Sequence, residues 1–227
     1  MAEFRESPRV SVNKLGEYLT ATPSRRKRII HDQKHPCDPQ YLRYPEAAQA
    51  ITDFLCEGLN GGVLRAHQER FFTTVPATDF EAQRLQLCSE ALDRFAALVP
   101  QLELDGMVLS AVGTEPPVLE VAGVTINVRP EVVLQCLDRH GQPTVGLLKL
   151  YFSKWHPLDE RSGQYIATLL QSFAEQHLRG LGPVDPRRIQ VVDVFAGSLF
   201  SAPRATLRRL QDVERACEEI GALWAVN

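Results

Sequence analysis

The sequence predicts an α/β domain in which a central mixed sheet is flanked by helices and preceded by a helical N-terminal part. Three observations carry that class. Apolar residues recur at helical spacing through much of the first hundred positions. After Pro100 the pattern changes to short alternating or continuous apolar runs punctuated by Gly and Pro. Residues 144–152 are so uniformly apolar that both faces of that strand must be covered, and a helical pattern, a further strand and a terminal helix follow. A chain of 227 residues is long enough to bury a substantial core. With no internal repeat and no obvious linker, it divides as one domain over 1–227, helical over 1–100 and sheet-containing over 101–227.

Each element has its own signal. Val12, Leu15 and Leu19 have helix spacing until Thr22-Pro23 interrupts, and a basic segment ending in Ile29-Ile30 follows. Ala47, Ala48, Ile51, Leu55 and Cys56 form a stripe over 45–58, and Gly61-Gly62 reads as a turn. Residues 78–99 give the clearest helix of this half, ended by Pro100. Leu102, Leu104 and Met107 to Val112 read as extended, and 118–121 with 124–137 as a bent hairpin pair about Gly123. Pro130 within the second arm suits an edge or a bulge. The turn 138–143 leads into the doubly buried strand, then a helix over about 158–179 and a strand over 189–195. The last helix, 204–224, has an apolar stripe of Leu207, Leu210, Val213, Cys217, Ile220, Leu223 and Trp224, which suits packing on the sheet.

Composition excludes several classes. Hydrophobic residues make up 44%, too many for wholesale disorder, and no apolar run reaches the roughly 20 residues a membrane-spanning helix needs. The first residues lack an apolar signal core, so the expected address is cytoplasmic. Five scattered cysteines without a C-x-x-C pair argue against a disulfide framework or a structural zinc. His31 and His35 are four apart but lack the Glu of H-E-x-x-H; Walker A, G-x-G-x-x-G and G-x-S-x-G motifs are absent. The net charge of −3 conceals an uneven spread, with residues 1–35 at +4 and residues 36–105 at −6. Arg25, Arg26, Lys27 and Arg28, with Lys34 beyond, form a basic run suited to phosphate, and Tyr18, Tyr41 and Tyr44 flank it as possible stacking residues.

Val10 to Thr20, running into Pro23 to Ile30, resembles the opening element of RecB-type nucleases of the PD-(D/E)XK, restriction-endonuclease-like fold. Val128 to Leu134, with Glu131, and Val145 to Leu150, with Lys149, resemble its central hairpin, where an acid on one strand precedes a D/E-x-K tripeptide on the next. Gln164 and Tyr165 lie near the start of the following helix, where the family places Q-x-x-x-Y, although no tyrosine lies four residues beyond Gln164.

The resemblance implies a Mg²⁺- or Mn²⁺-dependent phosphodiesterase in which two carboxylates hold the metal and the lysine offsets charge on the phosphate. Glu131 would be the first acid and Lys149 the lysine. The position two before the lysine is Leu147, on the same strand face, so the second carboxylate is missing. Catalysis would need a migrated acid, for which Asp159, Glu160, Glu120 and Glu17 are the candidates. The sequence therefore points to a divergent or inactive prokaryotic nuclease-fold protein in DNA repair, mobile-element or phage-defence work. It would bind nucleic acid, DNA first, through the basic run, or a protein partner through the acidic helices of 45–99. An active nuclease with a migrated acid and a purely structural subunit are the alternatives.

Overall fold

The computed structural model describes residues 4–36 and 43–226. Its N-terminal part opens with a short strand, β1 (Arg9–Ser11), and the helices α1 (Val12–Thr20) and α2 (Pro23–Lys34). Ser11 and Thr22 cap the two helices by accepting from the Lys14 and Arg25 amides, and Pro23 occupies the first turn of α2, where its missing N–H costs nothing. Then come α3 (Pro45–Cys56), α4 (Gly61–Thr73) and α5 (Asp79–Leu98). Gly61-Gly62, read as a turn, is the first turn of α4, capped by the Asn60 side chain. Only Leu64 and Phe71 of α4 are buried, too thin a stripe to register as helical periodicity.

Five strands form the main sheet in the order β2 (Val108–Ala111), β5 (Val132–Leu137), β6 (Pro143–Tyr151), β7 (Val184–Asp193) and β8 (Ser198–Ser201). β2, β5 and β6 run antiparallel; α6 (Glu160–His177) then crosses over and β7 lies parallel to β6. Asp159 and Ser162 form a reciprocal capping box at the start of α6. The remaining strands, β3 (Leu119–Val121) and β4 (Val124–Asn127), form a second sheet of three with β1. The bent hairpin is thus two structures. β3 and β4 turn at Ala122-Gly123, both with positive φ (47° and 76°), and the chain changes sheets through Val128 to Pro130 before β5. At that change Arg129 takes φ 43°.

The sheet separates two apolar layers. Val145, Leu147 and Tyr151 of β6 join α1, α6, α7 (Leu207–Val226) and the small sheet on one side. Leu148 and Leu150 join α3 to α5 on the other, so β6 is covered on both faces, as its composition requires. Of the terminal stripe, Leu207 stands out of the core at 79% exposure, whereas Val213, Cys217, Ile220 and Trp224 are buried. No helix among the described residues is long and apolar enough to cross a membrane.

The β6–β7 register shifts between Val145 and Leu147, and Gly146 sits at the shift. A Cβ there would run into the Arg188 carbonyl of β7, which cannot move without breaking the ladder. Gly146→Ala is expected to lower stability by about 1–3 kcal/mol, measured as a lower urea midpoint at unchanged slope.

Candidate functional site

Strand register builds the centre of the site. Val132 faces Leu148, and the ladder continues one step further because the Glu131 amide donates to the Leu148 carbonyl at 3.0 Å. Glu131 therefore falls opposite Lys149 on one face, where facing side chains are close. Lys149 Nζ donates to Glu131 Oε1 at 2.7 Å, and Glu131 Oε2 accepts the Leu150 amide at 2.6 Å. The two side chains are only 10% and 16% exposed. A pair so shielded holds because both carboxylate oxygens have donors. Leu147 shares this face and is fully buried between Val133 of β5 and Ile189 of β7, leaving no ligand or cavity where a second acid would stand.

Helix α1 closes one side. Asn13 places its amide against the Leu150 carbonyl at 3.5 Å, and its Oδ1 is buried without a partner. Glu17, a turn further on, is clamped by Lys14 at 2.7 Å and Arg25 at 2.6 Å. Burial alone would raise its carboxyl, but the two cations outweigh burial and hold it below the ordinary value. Gly16 lets α1 approach this closely, since a Cβ would strike the Ile166 side chain of α6. Tyr151, two residues beyond Lys149 on the same face, donates its hydroxyl to the His156 carbonyl at 2.6 Å. Burial, reinforced by the fields of Glu17 and Asp193, raises its phenol, so it remains protonated at neutral pH.

The other candidate acids do not join Glu131. Asp159 is committed to the capping box, accepting from the Ser162 amide and hydroxyl at 2.7 and 2.6 Å. Glu160 bonds Gln164, and Glu120 is an exposed residue of β3 in the other sheet. Among the described residues no group of three or more His, Cys, Asp or Glu side chains could hold a metal ion. Gln164 and Tyr165 turn toward α7 instead of toward Lys149: Gln164 accepts from Arg209, and the Tyr165 hydroxyl donates to Asp212 at 2.8 Å.

The basic run is largely engaged within the chain. Arg25 pairs with Glu17; Arg26 bonds the Tyr18 carbonyl and Glu219 and lies 5.0 Å over the Tyr18 ring; Arg28 pairs with Asp32. Lys34 is buried, donating to the Trp224 carbonyl at 2.7 Å and lying 5.0 Å over Phe4. Lys27 alone of the five is exposed with no such partner among the described residues. Tyr18 is buried and Tyr44 stacks on Phe152 at 5.2 Å, so both serve the interior, while Tyr41 and Cys37 lie outside the described residues. The remaining cysteines are unbridged, and burial pushes the Cys88 and Cys217 thiols up to about 11 and 12.

Two groups of cations escaped the sequence reading. Arg129 is exposed at the left-handed bend two residues before Glu131. A concavity between the first turns of α6 and α7 is lined by Arg161, Tyr165, Ala205, Arg208, Arg209 and Asp212. The available signal was the density of arginine at 204, 208, 209 and 215, which the more compact run at 25–28 overshadowed. No protein-family model and no curated protein matches the chain.

Two outcomes follow from the buried pairs. Lys149→Met leaves the Glu131 carboxylate with the Leu150 amide as its one remaining donor, and should cost about 2–3 kcal/mol; the double variant Glu131→Gln/Lys149→Met should recover part of that loss in urea unfolding. For Glu17 the folded-state value is lowered, so its contribution is present above the unfolded value near 4.5 and is lost as pH falls through the folded one. The stability gap between wild type and Glu17→Gln should therefore be widest at neutral pH and close in acid.

Proposed function

We propose that this protein is a non-cleaving relative of the RecB-type PD-(D/E)XK nucleases that binds nucleic acid through phosphate contacts. The observation that carries the proposal is the Glu131–Lys149 pair closed at 2.7 Å beside a buried Leu147. The succession of antiparallel β2, β5 and β6, crossover helix α6 and parallel β7 supports assignment to that fold, with the acid and the lysine on the central hairpin. The same geometry argues against cleavage. A divalent ion needs several oxygen ligands in fixed geometry, but Glu131 already gives both oxygens to Lys149 and the backbone. Asp193 of β7, buried on the same face opposite Tyr151, gives both of its own to the Leu158 and Ala196 amides at 2.9 and 3.1 Å. With its charge balanced by Glu131, Lys149 is not poised to offset a developing phosphorane.

Binding is a separate matter from chemistry. Arg129 at the sheet change, and Arg161 and Arg208 in the concavity between α6 and α7, are exposed with no carboxylate partner among the described residues, which favours a polyanion as ligand. Contacts of this kind position a backbone without reading sequence. The resemblance sets such binding in prokaryotic repair, mobile-element or phage-defence work.

The test combines cleavage and binding. Purified protein with Mg²⁺ or Mn²⁺ should leave single- and double-stranded DNA intact while retaining it at low salt, with affinity falling steeply as salt rises. Metal-dependent cleavage that disappears in Lys149→Met would overturn the non-cleaving assignment; absence of any DNA or RNA binding at low salt would overturn the binding one. A second reading, a structural subunit docking a partner on the acidic helices, is favoured by Phe72 and Val75, 92% and 90% exposed beside α4 and α5. It requires a stoichiometric partner that is released by Phe72→Ser/Val75→Ser.

A further inference from the structure

We infer that the concavity between α6 and α7 is a binding site for the phosphodiester backbone of nucleic acid, with Arg161 and Arg208 as its anion-contacting residues. The inference rests on the nucleic-acid proposal above and assigns the surface that would perform it.

The main argument is a contrast between two sets of cations. Those of the compact run at 25–34 are mostly committed to Glu17, Glu219, Asp32 and the Trp224 carbonyl. Such groups offer an incoming phosphate little, because each new contact must displace an existing one. Among the described residues, none of Arg161, Arg204, Arg208 and Arg215 is paired with a carboxylate, and all four are exposed. Arg161 touches the Tyr165 hydroxyl, and the remaining donors of these guanidinium groups are open to an oxyanion.

The concavity is built from side chains held in place. Arg209 is fixed by the Gln164 amide oxygen and the Ala205 carbonyl, so it forms a wall and leaves its neighbours open. The one carboxylate in the lining, Asp212, accepts the Tyr165 hydroxyl at 2.8 Å. Three arginines against one aspartate leave the lining net positive. The volume, about 510 Å³, exceeds what a lone inorganic anion would fill.

The arginines also extend in one direction. Arg208 and Arg215 are seven residues apart on α7, hence on nearly the same face and about 10 Å apart along the axis. One strand of a duplex carries a charge about every 3.4 Å of axis, so that stripe matches about three phosphates of one strand. A chain of phosphates therefore suits the surface better than one small ion. Asp212 stands between the two on the same face, its carboxylate taken by the Tyr165 hydroxyl and offset by Arg209. Glu214 lies beside the stripe in sequence, and Glu218 occupies the next position along it, where the favourable field ends.

Three proteins decide the matter: wild type, Arg161→Ala/Arg208→Ala, and the control Lys27→Ala/Arg28→Ala. Each is tested by fluorescence anisotropy with a labelled 20-nucleotide random-sequence DNA, single- and double-stranded, from low to moderate salt. Arg161 and Arg208 are exposed and outside the core, and unchanged thermal midpoints would confirm intact folding. The pocket variant should bind at least about tenfold more weakly at low salt, with a log–log salt slope flatter by about 1–2, while the control stays within about twofold. Arg161→Lys/Arg208→Lys should restore part of the affinity, since charge is kept while the fork is lost. In parallel, pyrophosphate should perturb arginine side-chain NMR signals in wild type that are missing from Arg161→Ala/Arg208→Ala. DNA binding that persists unchanged in the pocket variant overturns this site and leaves the nucleic-acid proposal standing. Wild type that perturbs with pyrophosphate and binds no DNA overturns the polymer as occupant, and that failure belongs to the nucleic-acid proposal itself.

Discussion

The double burial of β6 is the constraint on which the rest of the molecule depends. Residues 144–151 lie between α1 and α6 on one side and α3 to α5 on the other, so any polar side chain on this strand must find its partner inside the protein. Lys149 does so through Glu131, and Glu131 can answer only because β5 extends its ladder by one residue beyond Val132. The same constraint makes Gly146 necessary against β7 and makes Leu147 a core residue. A nuclease centre on this hairpin would need water, metal and substrate on a face that is here filled by side chains.

That filling also means that most of the charge at one end of the sheet is spent within the protein. Lys14, Arg25 and Glu17 form one closed set, and Lys149 and Glu131 another, each satisfied internally. The first ties α2 to α1 and the second ties β6 to the start of β5, and groups already paired in this way offer an external anion little. Reactivity and affinity require unsatisfied groups, which lie instead along α6 and α7 and at the bend carrying Arg129. The structure thus separates a rigid, neutralised centre from a periphery whose cations remain available.

Much of this was open to the sequence. Helical spacing located α1, α3, α5 and α6, and the continuous apolar run located β6, because burial writes a periodic signal that is independent of partners. Glu131 and Lys149 were found as a pair, and Leu147 was found to stand where an acid was expected. What stayed hidden depends on contacts across the chain. α4 buries too few residues to show a period, and β1 with three residues exists only through β4. The sheet change at Arg129 rests on a backbone angle that no composition reveals. The engagement of Arg25, Arg26 and Lys34 involves Glu17, Glu219 and Trp224, the last two nearly 200 positions away, so a basic run in sequence was no guide to a basic surface.

The bond from Lys34 to the Trp224 carbonyl has a consequence for how the chain reaches its final form. It acts together with the Trp224 indole, which donates to the Arg5 carbonyl at 3.1 Å, and with the Arg26–Glu219 pair. Through these contacts the first two helices are completed by the last one. During synthesis α1 and α2 are made before α7, so Lys34 and the Arg5 carbonyl lack their Trp224 partners until α7 has been made. The α1–α2 segment therefore reaches its final packing only when α7 is in place against it.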